Sequence, residues 1–245
     1  MIHVLIVALG SRDLIDLARR SLHRYAHDVT THVEELPATT NDPRAHGAAI
    51  DRWRDAMRDP DIMSWRGPIR DTDTVVIMDP DVAILSEWWL REMIRVLYDE
   101  NPGDVGIWGA GSAEDFGPRV HASMMAIRGT LWNTSQATFL PIGTGPWRDT
   151  GGFYCEQAMK LGWKVVPVER GSDWNRFSAW WKIGSKYGDL ANGIEERGPM
   201  WTHLGGGSHS DPTRMTWWQR IKRRRAVRER ERFKAAVREH LHGNP

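Results

Sequence analysis

Two carboxylates flank a proline in Asp79-Pro80-Asp81, directly after the apolar run Val75-Val76-Ile77-Met78. Carboxylates set this close repel, and burying them unpaired costs several kcal/mol. A divalent cation, which takes oxygen ligands and bridges to phosphate, resolves that repulsion. The proline fixes one backbone angle and helps hold both groups in one geometry. An Asp-Pro pair after a strand is also a common turn, so the tripeptide alone serves either purpose.

Three other segments carry side chains suited to chemistry. His203-Leu204-Gly205-Gly206-Gly207-Ser208 joins an imidazole to a glycine run. Glycines let backbone approach phosphate closely, and successive N–H groups form an anion nest. His203 is then a candidate third metal ligand, and Gly205, Gly206 and Ser208 are candidate phosphate contacts; a flexible loop with a surface histidine is the plain alternative. In Trp147-Arg148-Asp149-Thr150-Gly151-Gly152, Asp149 reads as a helix N-cap or as a general base that deprotonates a hydroxyl. The two roles are compatible, since a carboxylate has two oxygens. In His46-Gly47-Ala48-Ala49-Ile50-Asp51, small residues at a helix start allow close approach of a ring or phosphate. For His46 itself, simple helix packing is the better reading.

The elements that must position these groups alternate strand and helix, which argues α/β. Ile2–Leu9 is a continuous apolar run, the pattern of a strand buried on both faces. Ser11 is placed to cap a helix in which Leu14, Leu17, Ala18, Ser21, Leu22 and Tyr25 recur at helical spacing. Further strands are expected at Val29–Leu36, Val75–Met78, Val105–Gly109, Val120–Ile127 and Lys164–Val168. Helices are expected at Ala45–Met57, from a Ser86 cap to about Glu100, from Asp149 or Thr150 to Gly162, and from Trp217 onward. Residues 169–200 read as irregular. In an open parallel sheet, ligands collect beyond the carboxyl ends of the strands, which is where the short strand delivers Asp79 and Asp81.

The 245 residues suffice for one generous α/β domain, or one domain with an appendage. No apolar run approaches the roughly 18–20 residues that span a bilayer. The first residues read as a buried strand and not a secretory signal. The single cysteine, Cys155, cannot form an internal disulfide, which fits a cytoplasmic setting, and it is expected to pack inertly in a helix. Fourteen tryptophans are unusual and serve as core filler or as stacking surfaces for sugars and bases.

Charge is unevenly spread. Arg214 to Pro245 holds 11 Lys+Arg against 3 Asp+Glu, a balance of +8; the preceding residues hold 22 against 29, a balance of −7. Residues 1–213 therefore read as the main domain and 214–245 as a basic helical tail. Lys222, Arg223, Arg224 and Arg225 are its densest stretch. Trp218, Ala226, Phe233, Val237 and Leu241 fall on one arc of that helix. Three uses compete: docking on the main domain, tracking a phosphate backbone, or lying on an anionic membrane surface.

The order of these pieces resembles the GT-A glycosyltransferases, especially the family 2-like enzymes. The resemblance covers roughly residues 2–210. It rests on the first strand and loop, the small-residue helix, and the strand ending in Asp-X-Asp. The stretch Val120-His121-Ala122-Ser123-Met124-Met125, the acidic motif at a helix start, Gly162-Trp163-Lys164-Val165-Val166, and the late histidine complete it. It implies a Rossmann-like, mixed but mostly parallel sheet flanked by helices, here with a basic C-terminal helix. It implies Mn²⁺ or Mg²⁺ on Asp79, Asp81 and His203, with Asp79 also meeting the diphosphate of a nucleotide-sugar, expected to be a UDP-hexose. Asp149 matches the catalytic base, Asp51 a donor-contacting residue, and Ala8, Gly10 and Ser11 the nucleotide-facing first loop. The residue before Asp149 departs from the family pattern: it is Arg148 and not an acid, which would place a cation, beside Trp147, near the acceptor.

The reaction so implied is transfer of a hexose to a hydroxyl, with inversion. The acceptor expected from the basic tail is 5-hydroxymethylpyrimidine in DNA, as for bacteriophage glucosyltransferases acting in a host cytoplasm. A protein acceptor such as a phage capsid, or a lipid, is the rival among enzymes. A non-catalytic nucleic-acid-binding protein is the rival from another class.

Overall fold

The structure, a computed structural model, describes residues 1–9, 12–36, 43–58, 68–100, 103–112, 118–142, 150–168, 189–192, 199–203 and 217–243. Strands are β1 (Ile2–Leu9), β2 (Val29–Leu36), β3 (Thr74–Met78), β4 (Val82–Ile84), β5 (Val105–Ser112), β6 (Arg119–Arg128), β7 (Lys164–Val168), β8 (Asp189–Asn192) and β9 (Pro199–His203). Helices are α1 (Arg12–Tyr25), α2 (Pro43–Ala56), α3 (Trp88–Ile94), α4 (Gly129–Thr134), α5 (Gly152–Lys160) and α6 (Trp217–His242).

Six strands form the main sheet in the order β2-β1-β3-β6-β5-β7. The β1–β2, β1–β3 and β5–β7 pairs are parallel, and β6 runs antiparallel to both neighbours. The expected mixed, mostly parallel α/β sheet flanked by helices is the one observed. Its strands read as unbroken apolar runs because both faces are covered. Leu5, Val7, Val75, Ile77, Met125 and Ile127 pack toward Trp53, Trp132, Phe139, Tyr154 and Cys155. Val4, Ile6, Val76, Met78, Met124 and Ala126 pack on the other side with Ala18, Leu22, Trp89 and Met93. Alternate residues of one strand thus serve two cores, as the two-residue side-chain period requires. Cys155 is buried, as a packing residue would be.

A second sheet, β4-β9-β8, was not foreseen. Its β9, and β8 among residues expected to be irregular, exist because Val82-Ala83-Ile84 is a fully buried edge that needs a partner. Trp201 of β9 packs edge-on against Trp108 of β5, with ring centroids 5.5 Å apart, and so fastens the small sheet to the large one. Four of the tryptophans, Trp89, Trp108, Trp132 and Trp201, are fully buried, which accounts for them as core.

Several boundaries shift. The α3 cap position is Glu87 and not Ser86, and the helix passes into a π-helical turn at Arg95–Asp99. The helix expected from Asp149 or Thr150 begins at Gly152, with Gly151 in the cap position at φ +93°. There a side chain would also meet Met125 Cε at 2.7 Å, so α5 packs directly on β6. Ser11 and Asp149 lie outside the described residues.

The basic tail forms the long helix α6. Phe233 and Val237 are buried against Leu14 and Leu17 of α1 and Ala83 of β4, with Leu241 alongside. Arg230 and Lys234 reach the Asp13 carboxylate at 2.6 and 2.7 Å. Burial opposes ionisation of Asp13, but these two cations outweigh it and hold the carboxyl below its ordinary value. His240 bonds the Leu85 carbonyl at 2.7 Å, just beyond β4. The C-terminal half of α6 therefore docks on the main domain, as the apolar arc suggested. No helix among the described residues is long and apolar enough to cross a membrane.

Candidate metal and diphosphate site

The chain runs from β1 outward to β2, then returns to place β3 on the other side of β1. That reversal opens a crevice beyond the carboxyl ends of β1 and β3, where ligands bind in open α/β sheets. Ile6 pairs with Met78 at the last rung of β1–β3, and Asp79 follows at once. Ala8 sits near the same end of β1, buried. The Asp79 N–H donates to the Ser123 carbonyl at 2.9 Å, extending the β3–β6 ladder by one step.

Asp79-Pro80-Asp81-Val82 then turns. The Val82 N–H donates to the Asp79 carbonyl at 3.2 Å, closing a four-residue turn. Asp and Pro occupy the first two turn positions, where their propensities favour them. The turn and metal readings of this tripeptide are therefore one structure. The turn launches β4, and β4 recruits β9 in a register that pairs Val82 with His203. His203 thus arrives beside Asp81 through strand pairing alone.

The resulting cluster is compact. One ligand atom from each of Asp79, Asp81 and His203 lies within 4.8 Å of the others. His203 Nε2 stands 3.2 Å from Asp81 Oδ1 and 3.8 Å from Asp79 Oδ2. The Asp81 side chain is 6% exposed and that of Asp79 25%. Burial pushes the Asp79 carboxyl above its usual value and Asp81 adds to the push; His46, His203 and His121 draw it down without cancelling the rise. Two carboxylates and an imidazole make a donor set that suits a divalent ion of the Mg²⁺–Mn²⁺ type. Such an ion, held by three protein atoms, keeps coordination positions for phosphate oxygens. The mutually repelling carboxylates, one buried and one partly so, fit that group, because a cation removes the cost that raises Asp79.

The other expected site residues divide into two sets. Asp51 on α2 is engaged by the protein: it accepts from the Phe139 N–H at 3.1 Å and from the Thr138 hydroxyl, and it pairs with Arg54 at 3.2 Å. These contacts tie α2 to residues 137–140. Gly10, Ser11, Trp147, Arg148, Asp149, Gly205, Gly206 and Ser208 lie outside the described residues. Lys222, Arg223, Arg224 and Arg225 lie in α6, with side chains outside the described set. The start of α5 is nevertheless informative. A Cβ on Gly151 would sit 3.5 Å from the Ala122 nitrogen, one residue from the Ser123 that holds Asp79. Gly151, just before α5, therefore lies at the site end of the sheet.

Sequence reasoning favoured helix packing for His46 and gave His121 no role of its own. His46 Nε2 lies 3.4 Å from Asp79 Oδ1, and His121 acts on the same carboxyl through its charge. Both are separated from Asp79 by tertiary distance in the chain. The only available signal was that His46 precedes the small residues Gly47, Ala48 and Ala49.

No protein-family model matches the chain, and no curated protein matches it. Among solved structures, it is similar to a glycosyltransferase involved in glycosylation of the major capsid of PBCV-1, at 13% identity over 67% of this chain and 81% of that one (TM-score 0.41). It is similar to the glycosyltransferase GlyE of Streptococcus pneumoniae TIGR4 at 12% identity over 96% of this chain (TM-score 0.37), and it spans 63% of that chain's length. It is also similar to the galactosyltransferase LgtC in complex with donor and acceptor sugar analogs, at 13% identity over 100% of this chain and 98% of that one (TM-score 0.38).

Proposed function

We propose that this chain is a metal-dependent glycosyltransferase of the GT-A type, which moves a hexose from a nucleotide-sugar, UDP-hexose being the expected donor, to a hydroxyl acceptor. The observation that carries this reading is the convergence of Asp79, Asp81 and His203 at the crevice where the strand order reverses. A nucleotide-sugar needs a site for a doubly charged diphosphate beside a cavity for the sugar. Two aspartates and a histidine at such a crevice answer the first need.

Asp79, Asp81 and His203 would hold Mn²⁺ or Mg²⁺, which when bound neutralises charge building on the departing diphosphate. Asp149 would take the proton from the attacking hydroxyl. The hydroxyl oxygen bonds to the anomeric carbon as the bond from that carbon to the diphosphate oxygen breaks; the nucleoside diphosphate leaves with the electron pair. A single base facing the carbon opposite the leaving group gives inversion. Ala8 at the end of β1 stands where the nucleotide would enter, with Gly10 and Ser11 after it.

For the acceptor, our reading is a 5-hydroxymethylpyrimidine in DNA. What supports it is the excess of cations on residues 214–245; among the described residues, Arg230 and Lys234 pair with Asp13. A backbone contacted by several cations binds with a steep salt dependence.

The deciding experiment is a panel of nucleotide-sugars with Mn²⁺ against hydroxymethylcytosine DNA, hydroxymethyluracil DNA and unmodified DNA, read by mass. A hexose-sized gain on modified DNA alone is expected. Donor hydrolysis without a DNA product would turn the acceptor reading to protein or lipid. Salt-dependent DNA binding with no donor turnover would replace the enzyme reading with a nucleic-acid-binding one. Full activity in excess EDTA would remove the metal.

A further inference from the structure

The cluster leaves one buried atom without a partner. His46 Nε2 is buried and has no hydrogen-bond partner among the described residues, yet it stands 3.4 Å from Asp79 Oδ1. The two oxygens of Asp79 are thereby sorted: Oδ1 faces α2, and Oδ2 faces His203 at 3.8 Å. We infer that His46 is a positioning residue for the metal-binding carboxylate, its Nε2–H donating to Asp79 Oδ1 so that Oδ2 is held toward Asp81 and His203. This inference rests on the metal reading above and adds a residue that the reading does not require.

A carboxylate on a short side chain turns about its last bond, and an ion that relies on one of its oxygens must stop that rotation on binding. A donor on the far oxygen stops it beforehand. Outer hydrogen bonds of this kind orient metal ligands and commonly change metal affinity by about 10–100-fold. Asp79 receives no other side-chain hydrogen bond among those described, whereas its backbone is fixed on both sides, by Ser123 and by Val82.

His46 is well placed to act as a fixed donor, because α2 cannot draw back. A Cβ on the neighbouring Gly47 would lie 2.4 Å from the Phe139 carbonyl oxygen, so the helix already touches that backbone. Asp51 and Arg54, one and two turns further on, bond Phe139 N–H and the Ala137 carbonyl. The absence of a side chain at Gly47 thus sets the depth at which His46 enters the site. The ring is 17% exposed, so water competes little for Nε2. His203 does not serve in its place, because it stands on the metal side, near Asp81. Either the cationic or one neutral form of the ring supplies the N–H.

The test is a titration of Mn²⁺, alone and with UDP, into the full chain, with free Mn²⁺ read by electron paramagnetic resonance. Wild type, His46→Ala and His46→Gln are compared, and near-UV circular dichroism checks that each is folded. We expect His46→Ala to bind Mn²⁺ about 10–100-fold more weakly. His46→Gln should recover most of the loss, because its terminal amide N–H reaches the same oxygen. Equal affinity in wild type and His46→Ala would overturn the inference. So would a glutamine variant as weak as the alanine one, since that would make His46 a packing residue. Failure of wild type to bind Mn²⁺ at all would instead strike the metal reading, and this inference with it.

Discussion

Replacing Asp81 with asparagine should make the metal-free protein more stable and blind to metal. Asp79 and Asp81 place carboxylate atoms within 4.8 Å of each other. At an effective dielectric of about 20, two unit charges at that distance repel by about 3 kcal/mol. The nearby imidazoles of His46, His203 and His121 offset part of this, leaving roughly 1–2 kcal/mol to be relieved in Asp81→Asn. For a chain of this size, each kcal/mol moves Tm by about 2–4 °C, so the metal-free variant should melt roughly 2–8 °C higher. Metal reverses the order. At a concentration about 100 times its Kd, an ion stabilises wild type by about 2.7 kcal/mol, or roughly 5–11 °C; Asp81→Asn should show almost none of this. The pH dependence has a definite sign. Asp79 has a raised folded-state pKa, so its own contribution to metal-free stability is fully present below the ordinary value of 3.8 and is lost as pH climbs through the raised one. Removing Asp81 should flatten that loss. Differential scanning fluorimetry with EDTA, then with Mn²⁺ and UDP, across pH 4–8 reads every arm. A metal-free Asp81→Asn that melts below wild type, or one that keeps the metal-dependent gain, would refute the reasoning.

Three further outcomes are expected. Asp149→Asn should abolish transfer while leaving donor affinity nearly intact, as measured by product mass and by calorimetry of UDP binding; normal turnover would remove Asp149 from the base role. Gly47→Ala should cost about 1–3 kcal/mol in urea denaturation, because its methyl would sit 2.4 Å from the Phe139 oxygen, an atom that cannot swing away; an unchanged midpoint would show that α2 has room to shift. Phe233→Ala should cost about 3–5 kcal/mol, because the ring is 1% exposed between α1 and β4; a protein as stable as wild type would show that α6 does not brace β4.

How much of this was legible in the sequence depends on the range of the interaction concerned. The buried strands Ile2–Leu9 and Val75–Met78 announce themselves as unbroken apolar runs, since covering both faces leaves no polar alternation. The Asp-Pro-Asp turn is equally local: turn propensity and chain direction together bring Asp79 and Asp81 to one strand end. The docking of α6 was one of three uses the sequence left open; the apolar arc that spoke for it includes Phe233 and Val237, which are buried against the rest of the chain. Strand β4 was not visible, because three residues are too few to show a period. Without β4 there is no reason to expect β9 beside it.

The sequence by itself determined the alternating α/β order, the two carboxylates at the end of a buried strand, and the basic character of the last helix. These follow from side-chain period, turn chemistry and charge, which act over a few residues. Only the tertiary structure decided that His203 would stand 3.2 Å from Asp81, through the β4–β9 register. It alone decided that His46 would face Asp79 and that Asp51 would spend its oxygens on Thr138, Phe139 and Arg54. Those outcomes depend on which strands pair and how closely α2 meets the 137–140 segment. Pairing and packing of that kind are chosen by the burial of the whole core and leave no short-range mark in the chain.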